Sequence, residues 1–257
     1  MNLKESKVRY FFDLISELTK KEIKVRYKNS FLGYLWSVLS PLFTALVFFV
    51  AFKVVIKLKI ENYVLFLISG LFCWQWYTNS IFASSTLFLN NSSLIKKVNF
   101  PRETLVYSMV LSDMFHFLLS IPVILLFVFI YRQKFPYFIF LLPFVVFFQF
   151  VFISGISLII SSINLFFRDL ERLVIVFTNL LFYITPIIYS ENMVPEKYKI
   201  FLYINPMAYF VILYRNIFLF NKINLDLLLV AAAYSLVAYF VGYKIYSFLR
   251  WKFAEVV

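Results

Sequence analysis

Asp113 and His116 stand three residues apart, one helical turn, inside an otherwise apolar stretch from 104 to 131. A carboxylate and an imidazole in that relation can relay a proton, and each is costly in hydrocarbon unless it is paired or faces a cavity. The same two groups serve equally as hydrogen-bonding contacts between helices, and Gln75, Asn79 and Gln149 are read in that structural role. The remaining acidic cluster, Asp169 and Glu171, alternates with Arg168 and Arg172 and reads as structural ion pairs.

Other chemistry finds little to work with. One cysteine, Cys73, and one histidine exclude a disulfide framework and the usual Cys/His zinc clusters within the chain. The four glycines, Gly33, Gly70, Gly155 and Gly242, are too widely spaced for a Walker A loop or a dinucleotide fingerprint. Both motifs cluster glycines so that backbone N–H groups can approach phosphate. No metal and no bound cofactor is expected.

The elements that position these groups are written in charge-free stretches. Residues 34–52, 62–95, 135–167, 173–190 and 227–243 contain no Lys, Arg, Asp or Glu. Such stretches approach the roughly 20 apolar residues that cross about 30 Å of hydrocarbon. With 63% hydrophobic and 22% aromatic residues, the chain has too little polar surface for a water-soluble domain. We read an all-α membrane protein, one domain over 1–257, with six spans near 34–56, 62–82, 104–131, 137–166, 173–189 and 225–247.

Six spans place both termini on one side. Most of the 25 Lys and Arg lie in the N-terminal segment, the 83–103 and 167–172 loops and the tail, which predicts cytoplasmic termini. Lys53, Lys57 and Lys59 oppose this trend, and their long stems can reach the interface. The formal charge of +12 is spread over both faces, which argues for membrane and against nucleic acid. The first 28 residues lack the apolar core of a cleavable signal.

Three segments outside the spans carry further information. In 1–33, Val8, Phe11, Phe12, Ile15 and Leu18 recur at helical spacing opposite Asp13, Glu17, Lys20, Lys21 and Lys24. That pattern predicts an amphipathic helix lying at the membrane interface. In 83–103, the start signals Asn90 to Ser93 precede Leu94, Ile95, Lys96 and Lys97, predicting a short surface helix on which a partner docks. In 190–224, Pro195, Asn205 and Pro206 are followed by an aromatic run, predicting two short helices, broken at Asn205-Pro206, that dip into the outer leaflet as a gate.

The run from Arg26 to Trp36, with Pro41, resembles the opening of the membrane subunit of polysaccharide-exporting ABC transporters. That class includes O-antigen, capsule and teichoic acid exporters. Further similar pieces follow in order: Gly70 with Trp74, Leu94 to Lys97 with Phe100 to Glu103, Phe167-Arg168-Asp169, Pro186 with Tyr189, and Asn205-Pro206 with Tyr214-Arg215. They cover nearly the whole chain. Thr185 departs from the Ser that such permeases more often carry before the proline corresponding to Pro186.

The resemblance implies export of a lipid-linked polysaccharide by a homodimer of this subunit with two separate ATP-binding cassette subunits, which bind the ATP. It implies that Leu94, Ile95, Lys96, Lys97, Arg168 and Asp169 couple to those subunits. Arg26, Lys28, Gly33 and Trp36 would form the access region for a lipid diphosphate at the inner leaflet, with Gly33 allowing the turn into the first span and Trp36 at head-group depth. Tyr34, Phe43, Phe177 and Tyr183 would line the channel, where aromatic rings stack on sugar faces. Asn205, Pro206, Tyr209 and Phe210 would form the external gate. Two other classes stay open: a proton-coupled transporter or channel built on Asp113 and His116, and a membrane-bound transferase acting on lipid-linked sugars.

Overall fold

The computed structural model describes residues 3–28, 30–131, 135–222 and 224–256, so Asn29 of the motif run lies outside the described residues. Among the described residues every regular element is helical. The first is α1 (Leu3–Arg26), and after a turn at Gly33 comes α2 (Trp36–Phe48), which runs on into a π-helical stretch, Phe49–Val55. There follow α3 (Tyr63–Asn90), the short α4 (Ser92–Lys97), α5 (Glu103–Ile130), α6 (Leu142–Asn164) and α7 (Leu170–Ile184). Two short helices, α8 (Ile200–Ile204) and α9 (Pro206–Arg215), precede α10 (Leu225–Leu249) and α11 (Phe253–Val256).

Among the described residues, four stretches are long and apolar enough to cross a bilayer: Gly33–Val55, Glu103–Ile130, Tyr137–Asn164 and Leu225–Lys252. The pair Glu196–Ile204 and Pro206–Phe220, bent by 98°, makes a fifth if counted as one span. The expected helical membrane architecture is therefore present. The break at Asn205-Pro206 is where the sequence predicts it, because a residue before proline is pushed out of the helical region and Asn205 is extended at φ −87°, ψ 107°. The Asn205 side chain then accepts from the Met207 amide at 3.0 Å and caps α9.

Helix α3 is the hub. It packs against α2, α5, α6, α7 and α9, and most of its residues are buried. A helix surrounded by other helices can carry polar groups, and Gln75 and Asn79 lie on it half-buried. Helices α6 and α10 approach most closely at Gly155 and Gly242. A Cβ on Gly155 would lie 2.5 Å from the backbone of Ala238, so only glycine lets the backbones meet.

Lys53 donates to the carbonyls of Ile60 at 2.8 Å and Leu58 at 3.3 Å, and so closes the turn after the π-helical stretch.

Candidate functional site

Helix α1 crosses α5 obliquely. Phe11 meets the ring of Tyr107 at 6.3 Å, and Arg26 reaches Asp113 at 2.5 Å. About 22 Å of α1 separates the two contacts on one side, but only about 9 Å of α5 on the other. The C-terminal end of α1 thus sinks toward the bundle, and Asp113 lies about 15 Å along a helix of about 42 Å. The sequence suggests a carboxylate at mid-membrane; its place is nearer the end where α1 and α4 lie.

The two candidate proton carriers are both engaged there. Asp113 is buried, accepts from Arg26 and accepts from the Ser80 hydroxyl at 2.8 Å. His116 Nδ1 is 3.2 Å from the Tyr27 hydroxyl, and Tyr34 closes over both rings at 4.6 Å from Tyr27 and 6.4 Å from His116. Burial pushes the Tyr27 phenol above its ordinary pKa, with Arg26 pulling the other way, so this hydroxyl keeps its proton at neutral pH.

Behind this ion pair is a polar cavity of about 460 Å³. Arg26, Tyr27, Trp36, Gln75, Asn79 and Asp113 are among its walls. Gln75 donates to Asn79 Oδ1 at 2.6 Å, which leaves the Asn79 amide N–H groups and the Gln75 oxygen to face it. Its walls combine aromatic rings, amides and hydroxyls with one guanidinium that the Asp113 carboxylate pairs. Of the four expected access residues, Arg26 and Trp36 line this cavity and Gly33 sets the turn beside it at φ +48°. Lys28 is exposed and lines no part of it.

Helix α4 forms as expected, but its surface differs. Ile95 is buried, 3% exposed, and Leu94 is half-buried against the core, while Lys96, Lys97 and Val98 are exposed. In a helix of under two turns one side must anchor to the bundle, and the two apolar residues do so. The face left for a partner is basic. Arg168 and Asp169 are exposed on the α6–α7 connection, and among the described residues no ion pair joins Arg168 or Arg172 to Asp169 or Glu171. The connection is held otherwise: Asn164 donates to the Ser85 carbonyl at 2.5 Å and accepts the Glu171 amide at 3.1 Å.

Phe43, Phe177 and Tyr183 are exposed on α2 and α7, which meet through Phe48 and Phe182 at 5.6 Å. Tyr34 is also exposed, and its ring packs beside Tyr27 and His116 of the cavity wall. In the hairpin after α7, Tyr209 and Phe210 are buried in the subunit's own core. Tyr209 donates to the Tyr203 carbonyl at 2.9 Å, and the Phe210 ring lies 5.8 Å from Phe152. The 98° bend turns α9 inward, leaving Phe201, Tyr203 and Ile204 of α8 on the surface.

One residue carries more than its place in a motif suggests. Arg215 is fully buried with no carboxylate partner among the described residues. Its guanidinium donates to the carbonyls of Pro186, Ile187 and Phe66 and stacks 3.5 Å over the Phe66 ring. A Cβ on Gly70 would come within 3.2 Å of it, so Gly70 provides its room. An arginine inside an apolar run is the sequence signal for such a buried anchor. Gln149, accepting from Tyr214 at 2.7 Å and donating to the Cys73 carbonyl at 3.1 Å, has the structural role expected of it.

Bilayer-length apolar helices enclosing a polar cavity, with short helices at both ends of the bundle, define a polytopic membrane permease. Residues 13–219 match the model of the family described as ABC-2 type transporter, and the chain belongs to that family. It is 40% identical over 249 residues to an O-antigen export system permease protein, RfbA, of Klebsiella pneumoniae, spanning 96% of each chain. A second protein of that description from the same organism is 41% identical over 250 residues, and one from Myxococcus xanthus is 32% identical over 247 residues. The family resemblance read from the motifs is borne out. Membership implies an ATP-binding partner subunit and a multi-pass membrane location.

Proposed function

We propose that this chain is the transmembrane subunit of an exporter that moves a lipid-linked polysaccharide of the O-antigen type across the cytoplasmic membrane. The observation that carries the reading is identity of 40% and 41% over 96% of both chains to permeases named for O-antigen export. Two copies form the pore, and two separate ATP-hydrolysing subunits drive it. Six spans are formed by α2, α3, α5, α6, α7 and α10, while α8 and α9 bend at the outer face without crossing. In support, α3 reaches both ends of the bundle: Phe88 packs on Phe253 at 5.0 Å, and the Tyr63 hydroxyl donates to the Ile188 carbonyl at 2.9 Å. Both termini face the cytoplasm, and ATP binds the partner alone.

The polar cavity is the lateral access region. Arg26 meets the carrier diphosphate by exchanging Asp113 for phosphate, with exposed Lys28 guiding the anion from outside. Deleting the gene should abolish surface polysaccharide and leave the lipid-linked polymer on the inner leaflet. Restoring the chain should bring both back. Normal surface polymer in the deletion, or export that continues without an ATPase subunit, contradicts the proposal.

A further inference from the structure

The C-terminal end of α10 does not stop at the rim of the bundle. It tightens into a 3-10 turn, Arg250–Lys252, and the short α11 follows. Phe253 is fully buried, its ring 5.0 Å from Phe88, 5.9 Å from Tyr246 and 6.4 Å from Phe166. Phe88 is in the last turn of α3, directly before α4, and Phe166 leads out of α6 into the 165–169 connection. One ring therefore touches the roots of both loops to which coupling is assigned.

The start of α5 completes the cluster. Arg102 lies 5.9 Å over the Phe253 ring and donates to the Arg250 carbonyl at 2.7 Å. The Tyr246 hydroxyl donates to the Glu103 carboxylate at 2.5 Å and accepts the Glu103 amide at 3.1 Å. Between these contacts is an open cavity of about 450 Å³ walled by Asn99, Arg102, Glu103, Arg250 and Trp251. Two guanidinium groups share it with one carboxylate that Tyr246 already engages, which gives it the chemistry of a receptor for an acid. Trp251 stands at its rim, 75% exposed, beside exposed Lys252.

We infer that this C-terminal segment is a second docking surface for the ATP-hydrolysing subunit, whose acidic side chain enters the cavity between Arg102 and Arg250 while Trp251 serves as apolar anchor. The inference rests on the proposal of a separate ATPase partner. A phospholipid head group carries similar charge, but the tail turns inward under α3 and α6 and seats Phe253 among their ends. An anchor for head groups would run outward along the membrane plane. Contact here reaches α3 and α6 through Phe253 at once, so one partner surface can move both loops together.

The single cysteine, Cys73, is buried, so Trp251→Cys supplies one reactive thiol. With a photoactivatable thiol-linked probe at 251 and, in parallel, at Lys97→Cys, irradiation of the assembled transporter should yield an adduct with the ATPase subunit at both positions, identified by peptide mass. An adduct at 97 but not at 251 overturns the inference and leaves the ATPase proposal standing. Adducts at 251 only with phospholipid also overturn it, in favour of a membrane anchor. Failure at both positions counts against the partner itself. Arg250→Glu with Lys252→Glu should weaken ATPase binding about tenfold or more. Arg250→Gln, which keeps most of the stem and the backbone carbonyl that accepts from Arg102, should weaken it several-fold while the protein stays folded. Unchanged binding in the folded Arg250→Gln protein refutes the inference.

Discussion

The ion pair between Arg26 and Asp113 predicts an asymmetry. The Asp113 side chain is fully buried, whereas that of Arg26 is about a third exposed. Arg26→Gln leaves a buried carboxylate with only the Ser80 hydroxyl as partner. Removing one member of a fully buried pair costs about 3–5 kcal/mol. Water reaching Asp113 through the adjoining cavity reduces this, and about 2–3 kcal/mol is expected here. Asp113→Asn is milder, because Arg26 can turn to water or head groups and the new amide oxygen still accepts from Ser80, for a cost near 1 kcal/mol. The double variant should resemble Asp113→Asn alone, giving a coupling energy of about 2 kcal/mol. The assay is unfolding of the four proteins in one detergent, with Arg26→Gln shifted furthest. Equal costs for the two single variants, adding within about 0.5 kcal/mol in the double variant, would show that the pair is exposed and that α1 does not sink toward the bundle at Arg26.

Three further predictions follow from burial. On α4, Lys96→Glu with Lys97→Glu should weaken ATPase copurification about tenfold at normal protein levels. Ile95→Asp, which buries a charge, should lower the amount of folded protein, and partner loss without a folding defect in that variant would contradict the burial of Ile95. At the α6–α10 crossing, Gly155→Ala should cost about 1–3 kcal/mol through overpacking, measured as a lower unfolding midpoint, and an unchanged midpoint would mean that the helices do not touch there. In the outer hairpin, Phe210→Ala should destabilise by about 3–5 kcal/mol as a core truncation. Phe201→Ala with Tyr203→Ala should instead leave stability nearly intact and open a leak to small hydrophilic dyes. A leak confined to the Phe210 variant would move the gate back into the core.

Much of the site was legible from local pattern. Helix α1, the short helix α4 and the Asn205-Pro206 break follow from neighbouring residues, and the structure has each where the sequence predicts it, although no side chain caps the start of α4. Gly33 belongs with them, since a left-handed turn favours glycine. Local pattern did not show what covers each element. Leu94 and Ile95 looked available to a partner, and Tyr209 and Phe210 looked available to a pore mouth. All four are wholly or partly covered by the bundle.

The physical reason is the solvent. In water, an apolar stripe on a helix marks its buried side, but in a bilayer the lipid-facing side is as apolar as the core, so hydrophobicity marks the span and not its orientation. The sequence by itself determined where the apolar stretches lie, where they break and which family they resemble. Only tertiary structure decided that Asp113 finds Arg26 from 87 positions away, that Arg215 is satisfied by carbonyls, and that Phe253 closes under α3 and α6. Each of these is a buried polar or aromatic group whose partner is set by helix packing, and no local spacing encodes it.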